Sequence, residues 1–173
     1  STDYTYVIGA ATIVDESVSG SNGTDTIQSA LTVDLGNTAK VKGTVENVTL
    51  TGTAAVNAIA ANNTVANKLT GNIKANVLDG KGGADMFVFN TAYGAGNIDT
   101  VKGFVHALDE IQLDDAIYKG FGTNLLVDNV EFWKGVGVVA AHDLDDRLIY
   151  NTTNGALYYD PDGNKVGGVA AVQ

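Results

Sequence analysis

The chain has 173 residues, 45% of them hydrophobic, which is enough to bury a core in one compact domain or two small ones. It has no cysteine, so disulfide frameworks and thiolate metal sites are excluded. Its 20 acids against 10 bases give a net charge of −10, a field that repels nucleic acid and anionic membrane and attracts cations.

No apolar run is long enough to span a bilayer, so membrane insertion is not expected. The 21 glycines, the single proline and the abundance of Val, Thr and Asn are the composition of strands and turns. The one stretch considered for a helix, Ala140 to Asp146, is equally suited to a turn. Taken in order, three zones follow. Residues 1–50 hold β-branched runs separated by Gly, Asn and Ser turns, and are expected to be strands leading into a repeat. Residues 51–97 carry the repeat. Residues 98–173 alternate over longer runs and predict an antiparallel unit with one buried face. Within it, "IYNTTNGALYY" predicts a hairpin turning at Thr153, Asn154 and Gly155. One continuous domain is expected.

The repeat is read backwards from Phe87: Leu78 and Leu69 precede it at steps of nine residues, Ile59 at ten more and Leu50 at nine more. Periods this short predict a coil. Two positions before the last four anchors stand Asn57, Asn67, Asn76 and Asp85, and five positions before each of those stand Gly52, Asn62, Gly71 and Gly80. Gly or Asn suits the tight turn, and the polar side chain left at the corner is free to bond a neighbouring turn or a cation.

This register resembles the RTX, or hemolysin-type, calcium-binding nonapeptide G-G-x-G-x-D-x-U-x, with U a large apolar residue. Gly80 to Phe87 fits it with Lys81 in place of the second glycine, and Gly20 to Ile27 fits it with Ser21 there. The flanks "VENVTLTGTAAVNAIA" and "DTVKGFVHALDEIQL" resemble the family's lead-in strand and capping segment, and "DRLIYNTTNGALYYDPDGN" is similar to the tail of type I secretion substrates, including the C-terminal domain of serralysin-like proteases. The resemblance implies an all-β fold: a short right-handed parallel β-roll continued into an antiparallel β cap, with Ca²⁺ between turns eighteen residues apart. It implies metal roles for Asp85, Gly80, Gly82, Asn67, Asn76 and Asp25, and for Asp99 and Asp109 of the cap. Eighteen residues either side of Asp85 stand Asn67 and Gly103, neither a carboxylate, so one or two ions are expected, with Asn hydrogen bonds tying the other turns.

Other constellations have plainer readings. "DPDGN" spaces Asp160, Asp162 and Asn164 as a calcium loop begins, but Lys165 occupies the glycine position of an EF-hand, and a β-turn is the simpler reading. His142, Asp143, Asp145 and Asp146 suggest a metal cluster on paper, yet with two histidines and no cysteine a solvated loop is favoured. Tyr150, Tyr158, Tyr159, Trp133 and Phe132 could form a sugar platform, or simply pack. None of the serines sits in a nucleophile elbow. The expectation is a non-catalytic, calcium-binding module of a larger exported protein, extracellular or at the cell surface, fused to an unseen partner domain. The alternative is a carbohydrate-binding or adhesive module, with polysaccharide as partner.

Overall fold

The computed structural model describes residues 2–17, 23–62, 64–121 and 131–165. Gly20, Ser21 and Asn22 of the first motif match lie outside the described residues. Among the described residues every regular element is a strand. In chain order these are β1 (Thr5–Ile8), β2 (Val14–Asp15), β3 (Thr26–Ser29), β4 (Val33–Asp34), β5 (Val41–Lys42), β6 (Asn47–Leu50), β7 (Ala58–Ile59), β8 (Lys68–Thr70), β9 (Val77–Asp79), β10 (Met86–Phe89), β11 (Thr100–Lys102), β12 (Glu110–Leu113), β13 (Phe132–Gly135), β14 (Leu148–Asn151) and β15 (Ala156–Tyr159). The chain divides into two compact units, 1–92 with 96–113, and 93–95 with 114–173.

The first unit is a parallel β-solenoid of about five coils. One sheet runs β1-β3-β6-β8-β10-β12 and a second runs β11-β9-β7-β4, every pair parallel. A third, β2-β5, adds a short side early in the chain. Strands this short cannot stand alone; each coil buries one or two apolar side chains on the coil below, and stacking makes the core continuous. Tyr6, Ile27, Val48, Leu69, Phe87 and Ile111 share one column, at steps of 21, 21, 21, 18 and 24 residues. Ile27, Val48, Leu69 and Phe87 are fully buried, as is Leu78 facing them from the second sheet; each contributes about 1.5–3 kcal/mol.

The expected nine-residue step therefore holds only for the coil from Leu69 through Leu78 to Phe87. One coil earlier, Val48 and not Leu50 stands under Leu69, and Ala58 and not Ile59 stands under Leu78. The reason is corner length: most coils have 21 residues or more, and the extra residues sit in corners, where they leave the apolar alternation of the strands intact. The roll also runs further than the sequence suggested. β11 and β12, in the zone expected to be antiparallel, pair in parallel with β9 and β10 and complete the last coil.

The second unit carries the small sheet β13-β14-β15. β13 pairs in parallel with β14, and β14–β15 is the predicted antiparallel hairpin, with Asn151 opposite Ala156 and Gly155 at positive φ in the turn. Ile149, Leu148 and Ala156 are buried there. Rings of Tyr93, Tyr118 and Tyr159 pack edge-on or tilted at 5.0–5.7 Å. The Tyr159 hydroxyl donates to the Lys119 carbonyl at 2.8 Å and accepts the Lys119 N–H at 2.6 Å.

Candidate functional site

A polar residue stands two positions before five successive members of the column that Tyr6 begins: Asp25 before Ile27, Glu46 before Val48, Asn67 before Leu69, Asp85 before Phe87 and Asp109 before Ile111, the last of them exposed at the end of the stack. In register, they line one corner of the solenoid. A backbone N–H at a corner has left the sheet ladder and needs another acceptor. Here the acceptor is a side chain from the next coil. Asp25 Oδ1 accepts the Tyr4 N–H at 2.8 Å, Glu46 Oε2 accepts that of Asp25 at 2.8 Å, Asp85 Oδ1 accepts that of Asn67 at 2.9 Å and Asp109 Oδ1 accepts that of Asp85 at 2.8 Å. Asn67 works the other way as well, its Nδ2 donating to the carbonyls of Val45 and Glu46.

This overturns the expectation that Asp85 has no acidic neighbour. Because the last coil takes 24 residues, Asp109 and not Gly103 stands over Asp85. Sequence reasoning missed Glu46 altogether. Its signal was present, since "ENV" repeats the acid-x-apolar order of "DMF" and lies 21 residues after Asp25 and 21 before Asn67.

Asn76 and Asp99 belong to a separate corner, at the entrance of the second sheet. Asp99 Oδ1 accepts the Asn76 N–H at 2.8 Å, Asn76 Oδ1 accepts the Asn72 N–H at 2.8 Å, and Asn57 Oδ1 accepts the Val77 N–H at 2.9 Å. The two cap acids expected to act together, Asp99 and Asp109, are thus split between the corners.

The corners are short of positive charge. Among the described residues the ion pairs are Lys42–Asp15, Lys81–Asp79 and His142–Asp143, none of them on a corner residue. Burial pushes the Asp85 carboxyl up, against the Asn67 N–H, and the Asp109 charge adds to the rise. Burial likewise pushes Asp99 up to about 6, against the Asn76 N–H. Asp25 is wholly buried, and its Oδ2 has no hydrogen-bond partner; Asn67, 3% exposed, has the same deficit at Oδ1. A buried acceptor without a donor is uncommon and is what a cation would satisfy.

The Gly80–Gly83 turn packs directly beneath Asp85. A Cβ on Gly80 would lie 2.6 Å from Asp85 Oδ2, and one on Gly83, at φ +135°, would lie 2.1 Å from the Val65 carbonyl oxygen. Gly82 bridges to Asn62 in the coil below.

No family model, curated protein or solved structure matches the chain. Residue roles therefore rest on this geometry.

In the second unit, Asp160 is buried and its Oδ1 accepts the Asp162 N–H at 3.2 Å, closing a turn. Asp160 and Asp162 belong to the second unit, apart in the chain from the solenoid's corner residues. His142, Asp143 and Asp146, read from sequence as a solvated loop, do converge: their ligand atoms lie within 4.8 Å of one another. The carboxylates are already engaged, Asp146 Oδ2 accepting the N–H groups of His142 and Asp143, and Asp143 Oδ1 those of Asp145 and Asp146. Of the aromatic residues, Tyr159 is buried in its cluster and Trp133 stacks on His142 at 4.7 Å. Tyr150 is the exposed member.

Proposed function

We propose that the chain is a non-catalytic, calcium-binding β-solenoid module of an exported protein, of the hemolysin-type kind that its repeats resemble. The observation that carries this reading is Asp25. Its carboxylate is fully buried, Oδ2 has no donor, the Glu46 carboxylate lies on its backbone N–H, and no basic side chain among the described residues pairs with either. A hard divalent cation that takes six to eight oxygens suits a corner built of carboxylates, amide oxygens and turn carbonyls. At the first corner Asp25, Glu46, Asn67, Asp85 and Asp109 stand one per coil, so each ion would be held between adjacent coils by neighbours in this series, with the Gly80–Gly82 turn serving Asp85; Asn76 and Asp99 would do the same at the second. Asp160 and Asp162 are left to a turn.

In this reading calcium couples to folding. Where calcium is scarce, inside the cell, the uncompensated corner charges and the net charge of −10 loosen the stack and keep the chain competent for export. Outside, calcium neutralises the corners and closes the coils by mass action. The solenoid serves as a calcium-triggered folding element for whatever domain it accompanies.

Calorimetric titration of the metal-stripped chain tests this. Uptake of one or more calcium ions is expected, with Asp25→Asn losing part of the heat and stoichiometry. A wild-type chain that binds no calcium would remove the proposal.

A further inference from the structure

One left-handed residue in the solenoid is not a glycine. Lys81, at φ +58°, is the single such case among the described residues. A glycine would take that conformation without strain, whereas a side chain there costs free energy. The neighbouring coil makes room for it: Gly103, itself at φ +74°, lies so close that a Cβ on it would be 2.9 Å from the Lys81 nitrogen and 3.5 Å from Asp79 Oδ1. What Lys81 brings is charge. Its Nζ lies 2.9 Å from Asp79 Oδ2, and its own N–H reaches Asp79 Oδ1 at 3.3 Å, so one residue closes both oxygens of one carboxylate.

Asp79 has need of it. Its side chain is 15% exposed, and it sits at the end of β9 with Ile59 in register on one side and Lys102 on the other. Asp79 in turn holds the Lys81 ammonium above its ordinary range, first by hydrogen bond and then by charge, with Asp34 adding to the attraction. The contrast with Asp25 is direct. One carboxylate at the Gly-rich turns carries its counter-ion on the chain; the other carries none.

We infer that Lys81 is a tethered counter-ion, so that the coils from β8 to β12 stack at the Asp79 turn before calcium fills the Asp85, Asp109 and Asp99 corners, while the coils around Asp25 and Glu46 close only on the metal. What that statement says of calcium rests on the calcium reading above; the stacking at the Asp79 turn does not. The device sets an order of assembly. A metal-free nucleus at the end of the solenoid is in place before calcium arrives, and the earlier coils close on it.

Hydrogen exchange read by mass spectrometry tests both halves. In chelator, amides of residues 77–89 and 100–113 in the wild type are expected to be protected, and Lys81→Met, which keeps the aliphatic stem and the φ strain, to exchange about two- to fivefold faster there because it leaves Asp79 without its cation. Lys81→Gly separates strain from charge: relief of strain alone would make it better protected than Lys81→Met, and loss of charge keeps it below the wild type. One molar salt should speed exchange in the wild type and not in Lys81→Met. Equal protection in wild type and Lys81→Met, or greater protection in Lys81→Gly than in wild type, would overturn the tethered counter-ion. Added calcium that protects residues 25–50 supports the order of assembly, and calcium without effect there sinks the calcium reading while leaving the Lys81 comparison to stand or fall alone.

Discussion

Asp99 offers a prediction whose sign follows from its surroundings. Burial lifts its carboxyl from 3.8 to about 6. A carboxyl that is harder to ionise in the fold than in the unfolded chain favours folding in its protonated form. That contribution is fully present below its unfolded value, is partly lost near pH 5, and is gone once pH has risen through about 6. Two units correspond to about 3 kcal/mol; because the group is only half-buried, solvent screening reduces this to about 1.5 kcal/mol. Asp99→Asn keeps an oxygen for the Asn76 N–H and removes the charge. In chelator at pH 8 it should be more stable than the wild type by about 1.5 kcal/mol, by roughly half that near pH 5, and not at all in stronger acid. Urea unfolding followed by circular dichroism at these pH values is the assay. With calcium present the advantage should shrink, since the variant has lost a ligand. A variant less stable than the wild type at pH 8 without metal, or a difference that ignores pH, would refute the argument that Asp99 is a desolvated, unpaired acid.

Other consequences are simpler. Gly83→Ala should cost about 3 kcal/mol, because the residue holds φ +135° and its Cβ would meet the Val65 carbonyl oxygen at 2.1 Å; thermal unfolding reads it. Asn67→Ala leaves the Val45 and Glu46 carbonyls without their donor, so a loss of about 2 kcal/mol that does not vary between pH 5 and 8 is expected in urea melts. Tyr159→Phe removes a hydroxyl that both donates to and accepts from Lys119. It should cost about 1–2 kcal/mol, seen as faster hydrogen exchange in the second unit alone, with the calcium response of the solenoid unchanged.

The inward anchors Leu69, Leu78 and Phe87 were legible because that coil is short and regular, with the two sheets reached at successive nine-residue steps. The same step carried further back landed on Leu50 and Ile59, since a corner can lengthen without leaving a mark in the apolar pattern: the recurring side chains it buries are polar. The acids suffered most from this. Asp109 could be placed over Asp85 only by knowing that the last coil takes 24 residues, and Glu46 hid because a longer acid in a Gly-poor segment does not match the nonapeptide. The hairpin at Asn154–Gly155 was legible from local chemistry alone, needing no knowledge of the rest of the chain. Charge pairing was not, because Lys81 and Asp79 are neighbours on a turn whose left-handed bend a lysine does not announce.

The central claim is that a divalent cation closes corners that the chain leaves uncompensated, and thermal unfolding of the metal-stripped chain with and without millimolar calcium tests it most directly. The account predicts a melting transition that rises steeply with calcium and returns with chelator, with Asp25→Asn responding less than the wild type. An unchanged transition across that range would mean that hydrogen bonds at the corners suffice and that calcium has no place in them.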